Sequence, residues 1–196
     1  MKSFNFKTIA VAATMAAAGA SQAAVIFVFG VPVTGPGTPI LPAARVTIAQ
    51  DGSDKVDVLI ENLVDPIMHP TSTQFISQLN LNVSPFPASG RSSSFSSPVT
   101  SVVWTQDKVD SGFKYDVEID LASSAGTRLG PGMSTNLKLM GSGLLESHFN
   151  TTSPGTTDMY GLVHVQSTSN GESIKLKPVP EPTSMAALGI GALALL

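Results

Sequence analysis

The chain has no cysteine. That excludes disulfides, thiol catalysis, thiolate metal sites and a lipid anchor attached at cysteine. Charge is scarce: Asp, Glu, Lys and Arg make up 13% of the 196 residues, about half the share usual in a soluble domain. Ser and Thr supply the missing polarity, so the polar surface is mostly neutral hydroxyl. Aromatic side chains are only 6%. Positive charge is especially short. Removing Lys2 and Lys7 with an N-terminal leader leaves 9 of the 11 basic residues against 14 acidic ones, a net charge of −5. No basic patch remains for nucleic acid, and that partner class is excluded. No internal repeat of useful period is present. A mature part of roughly 150 residues buries enough apolar surface to fold as one domain without disulfides.

The first segment reads as a secretory signal peptide over residues 1–23. Lys2 and Lys7 form a short positive region, and Ile9 to Ala20 is an apolar stretch of signal-peptide length, too short to span a bilayer. Ser21 and Ala23 place small residues where signal peptidase reads them. Cleavage is expected after Ala23, or one residue later at Ala24.

From there to Leu176 the dominant period is two. Phe113 to Leu121 alternates apolar and polar without a fault, which predicts a half-buried strand with one wet face. Val56 to Ile60 and Leu79 to Val83 alternate as well. Shorter strands are predicted at 102–105, 137–139, 162–166 and 174–176, and the all-apolar Val25 to Val31 suits a central strand. Asp51-Gly52-Ser53-Asp54, Asp110-Ser111-Gly112, Gly130-Pro131-Gly132 and Asn170-Gly171 are turns. Asp110 to Gly112 is expected to close a hairpin onto Phe113. Val33 to Pro42 and Ser84 to Pro98 read as loops. The predicted fold is all-β: a β-sandwich of short antiparallel strands over residues 24–176, flanked by the signal helix and a C-terminal apolar helix.

Candidate chemistry within this body is thin. His69, His148 and His164 have no metal-binding spacing. Gly141-Ser142-Gly143 lacks the context of a hydrolase nucleophile and reads as a flexible turn. Asp51, Asp54 and Asp57 could offer oxygens to calcium, but position twelve from Asp51 is Asn62 rather than glutamate, so an acidic turn is the simpler reading. Asp116, Glu118 and Asp120 lie in a row on one strand face. They lack the opposed geometry of a glycosidase pair and read as a solvated face. Trp104, Phe113 and Tyr115 could stack on sugar rings and are more simply core.

The C-terminal segment, residues 177–196, is different in kind. Pro178, Pro180 and Pro182 alternate with Val179 and Glu181, which predicts a stiff extended stretch that neither coils into a helix nor pairs inside a sheet. Thr183 or Ser184 is placed to cap a helix. Met185 to Leu196 is apolar, with Ala187 and Gly191 at the small-residue spacing of membrane helices.

Val179-Pro180-Glu181-Pro182-Thr183 before an apolar run resembles the PEP-CTERM family of bacterial sorting signals. The likeness covers about a tenth of the chain. The family pattern continues with a full transmembrane helix and an arginine-rich tail. Here the run is about twelve residues, against roughly twenty needed to span a bilayer, and no basic tail follows. We expect the helix to continue beyond Leu196. The resemblance implies export through the Sec translocon and transient anchoring in the inner membrane. It further implies processing by an exosortase, a membrane transpeptidase that recognises Val179, Pro180, Glu181 and Pro182. Such substrates end at the cell surface or outside it, often with exopolysaccharide. The implied function is that of a non-catalytic surface or matrix protein without a cofactor or metal. The alternative reading is a secreted carbohydrate- or calcium-binding β-sandwich module.

Overall fold

A computed structural model describes residues 24–179. Over that span the chain is all-β, as its period predicts. Its strands are β1 (Val25–Thr34), β2 (Ala44–Gln50), β3 (Lys55–Asn62), β4 (Phe75–Leu81) and β5 (Ser92–Phe95). They continue with β6 (Val99–Asp110), β7 (Phe113–Leu121), β8 (Ser134–Met140), β9 (Gly161–Gln166) and β10 (Ile174–Pro178). One short 3-10 turn lies at Glu146–Phe149. The two flanking helices expected from sequence lie outside the described residues.

All ten strands belong to one antiparallel sheet, in the order β5-β8-β3-β2-β1-β10-β9-β4-β7-β6. Hydrogen bonding therefore does not divide them into separate sheets. The two edge strands are consecutive in sequence, joined only through Ser96 to Pro98. A three-residue connection cannot reach across a flat ten-strand sheet, whose strands lie about 4.8 Å apart, so the sheet wraps nearly into a barrel. Trp104 on β6 donates its indole N–H to the Ser92 carbonyl on β5 at 3.3 Å, bridging the two edges.

The inward residues follow the period of two. Val46 and Ile48 of β2, Val56, Val58 and Ile60 of β3, and Val117 and Ile119 of β7 are all fully buried. They share one core with Phe29, Leu79, Leu139, Val163 and Leu176. β1 lies between β2 and β10, the central position its two-sided apolarity predicts. The expected hairpin is present: Asp110 pairs with Phe113, and Ser111 (φ 52) and Gly112 (φ 85) both take positive φ. Two positive φ values are the type I′ pattern, whose twist matches that of the strands it joins.

Two strands were not anticipated. β2 carries a regular alternation of Ala44, Val46 and Ile48 against Arg45, Thr47 and Ala49, legible in principle. β5 reads Ser-Ser-Ser-Phe and has no apolar period at all. It is a strand because β8 offers an open edge, pairing Ser92 to Phe95 with Met140 to Leu137.

Phe29 is 0% exposed and its ring meets Phe27 edge-to-face at 6.5 Å. Phe29→Ala is expected to cost about 3–5 kcal/mol. Urea denaturation of the variant should show the midpoint falling accordingly.

Candidate functional site

The sheet brings the two chain ends together. β10 runs antiparallel to β1, with Phe29 opposite Pro178. Ala24 immediately precedes β1, and Val179 immediately follows β10. Both ends therefore leave toward the same end of the barrel. The last ladder bond runs from the Val179 N–H to the Val28 carbonyl at 2.7 Å. Beyond these two residues lie the other predicted recognition positions, Ser21 and Ala23 before, Pro180, Glu181 and Pro182 after, outside the described residues.

Here the structure corrects the expectation for Pro178. The sheet does not stop at Leu176; β10 includes Pro178, which is buried. In an antiparallel strand successive N–H groups point to opposite neighbours. The Val179 N–H points to β1, so the donor that Pro178 lacks would point to β9. Pairing with β9 has already ended at Leu176–Val163, and the missing donor costs no bond. Val179 itself is 42% exposed. A Cβ at Gly30 would lie 3.1 Å from its Cγ2, so Val179 rests on bare backbone.

The other candidates do not converge. His69 lies in an exposed turn, its N–H donating to the Asp65 carbonyl. His148 Nδ1 accepts the Leu145 N–H at 3.4 Å. Ser142 sits in a turn held by its own N–H to the Ser89 carbonyl. The Asp51–Asp57 group is tied up internally. Lys138 donates to Asp51 and to Asp57 at 2.6 Å each, Lys55 lies 3.1 Å from Asp51, and Asp54 accepts the Gly143 N–H. No group of three metal-ligating side chains occurs among the described residues.

The acidic row on β7 is a second correction. Its three carboxylates are half-buried rather than freely solvated. The tip of the β6–β7 hairpin reaches back over the outer face to Asn80 of β4 and Lys175 of β10, and each carboxylate of the row is held. Asp116 accepts the N–H groups of Val83 at 2.9 Å and Asp107 at 3.1 Å. Glu118 accepts from Lys108 at 2.8 Å and from the Tyr115 hydroxyl. Asp120 accepts from Ser101 at 2.7 Å and Gln78 at 3.0 Å. Burial, and then the bond to Glu118, push the Tyr115 pKa up to about 12. Burial raises the Asp116 carboxyl, although its two backbone donors pull the other way.

Two polar constellations follow from this hairpin. At the hairpin tip, Asp110 accepts from Asn80 at 3.1 Å, from Ser111 at 2.9 Å and from Lys175. Burial works to raise the Asp110 carboxyl, but the bonds from Lys175 and Ser111 together hold it below its ordinary value. His164 pairs with Lys175 across the ladder. Its pKa is lowered, first by burial and then by Lys175, with Asp110 opposing. Asn80 is 1% exposed and its Oδ1 has no partner.

The second constellation sits behind a break in the β6 ladder. Trp104 pairs with Val117 and Lys108 with Tyr115, so two extra residues of β6 bulge outward there. Asp107, within the bulge, takes φ 56. A recess opens beside it, lined by Phe86, Gln106, Asp107, Asp116, Thr151 and Thr152. None of this was marked in the sequence, beyond the aromatic and acidic residues themselves.

No family model matches this chain, and neither a curated protein nor a solved structure is similar to it.

His164 generates a pH expectation. Its folded pKa lies below the unfolded value of 6.5, so the unfolded chain binds the extra proton first. Stability is then complete above 6.5 and falls as pH drops through and below it. Urea denaturation at a series of pH values should show this decline, and His164→Gln should flatten it.

Proposed function

We propose that this protein is an exported surface or extracellular-matrix protein, delivered by an exosortase that recognises its Pro-Glu-Pro signal, and that it is itself not an enzyme. Its path runs through the Sec translocon and signal peptidase, with transient residence in the inner membrane and exopolysaccharide as its setting outside. The body is a β-domain whose wrapped sheet packs its walls face to face, as in a β-sandwich.

One observation carries the structural side of this reading. The final ladder bond is made by Val179, and Pro180 is the next residue. The Pro-Glu-Pro motif therefore begins where the sheet ends, with no slack between them. A folded body followed directly by a proline-rich, donor-poor sequence offers an enzyme one chain segment beyond the sheet, and cutting there removes no strand. Both chain ends leave on the same side, so a leader and a tail held in one membrane would leave the rest of the barrel clear of it.

The test is replacement of Pro180, Glu181 and Pro182 by alanine in the native host. The expected outcome is loss of release, with the protein accumulating in the membrane fraction. Unchanged release of the mature domain would overturn the sorting role.

A further inference from the structure

We propose that the recess behind the β6 bulge is a sugar-binding site, which takes one ring of a neutral or amino-bearing glycan. Its volume is about 190 Å³. Pockets for drug-sized molecules begin near 300 Å³, so this one suits a single ring that enters from a larger polymer.

The lining has the two kinds of surface a sugar needs. Phe86 supplies an apolar wall for the C–H face of a ring. Asp107, Asp116, Gln106, Thr151 and Thr152 supply acceptors and donors for its hydroxyls. The aromatic wall is fixed before any ligand arrives. The Arg91 guanidinium lies over Phe86 at 4.9 Å, and Trp104 meets the ring edge-on at 6.2 Å. A preset ring loses little freedom on binding, which favours affinity.

The bulge explains why these groups meet. A regular β6 would keep residues 105 to 107 in the ladder with β7. Two extra residues free them, and bulges commonly re-aim side chains in this way. Asp107 stays at φ 56 because Asp116 holds its N–H. Backbone strain maintained by a neighbour is a recurrent feature of binding sites.

Asp116 also decides the ligand's charge. Both its hydrogen bonds come from backbone N–H groups, and it has no cationic partner among the described residues. Its carboxylate retains lone pairs open to the recess it lines. Hydroxyl and ammonium donors satisfy them, whereas a uronate would bring like charge against Asp116; Asp107 is already paired with Lys114 at 3.7 Å. The larger groove at the opposite end of the barrel, about 390 Å³, includes Met68, His69, Thr71 and Ser167 in its lining, and has no Phe, Tyr or Trp and no carboxylate.

The experiment is isothermal titration of the purified full chain, in a detergent without a sugar headgroup. The probes are cellohexaose (neutral), a glucosamine hexamer (cationic) and an oligogalacturonate (anionic). Binding of the neutral or the cationic probe is expected. Phe86→Ala and Gln106→Ala should each weaken it by ~10-fold, the loss that follows from one contact of ordinary strength. Gln106 is exposed, so its variant keeps the parent melting curve and reports on the site alone. Absence of heat with all three probes would overturn the site, as would preference for the oligogalacturonate or unchanged affinity in both variants. Titration reads binding and the alanine exchange at residues 180–182 reads release, so either idea can fail with the other intact.

Discussion

The constraint that shapes this molecule is the three-residue link between its two edge strands. β5 and β6 lie at opposite ends of a ten-strand order, yet Ser96 to Pro98 is all the chain between them. The sheet has to curl until those edges meet. Curling turns one face of every strand inward and creates a single core from Phe29, Ile60, Leu79, Ile119 and Leu176. It also removes most of the exposed edge that a flat sheet would offer to a second copy. A chain with few charges has little else to guard an edge.

The same wrap puts β1 and β10 side by side in the middle of the order. First and last strands of a domain need not be neighbours. Here they pair, and the two exits share one end of the barrel. Pro178 fits because its missing donor faces the side where β9 has already stopped. The next proline, Pro180, follows the last ladder bond directly.

On the outer side of the sheet, the tip of the β6–β7 hairpin reaches over Asn80 and Lys175 and changes what that face is. Asn80 and Asn82 alternate with Leu79 and Leu81 as if they were wet, yet they are 1% and 3% exposed. The hairpin's Asp110 and the Met159 carbonyl take their amide donors. Asp116 is drawn inward by two backbone donors from different segments. Burial of polar groups is tolerated because nearly all of them find partners, Asn80 Oδ1 being the exception among the described residues.

By itself the sequence determined the local chemistry of strand and turn. The faultless alternation of Phe113 to Leu121, the apolar Val25 to Val31 and the Ser111-Gly112 turn each follow from side-chain period and allowed φ, which are properties of neighbouring residues. It also determined the resemblance at 179–183. What only the tertiary structure decided was pairing and cover. Ser92 to Phe95 became a strand because β8 had an edge to fill, Asn80 left solvent because the tip of the β6–β7 hairpin reached over it, and the bulge at Asp107 exists only against β7. Those outcomes depend on contacts between residues far apart in sequence, and no short-range pattern encodes which distant surface will arrive.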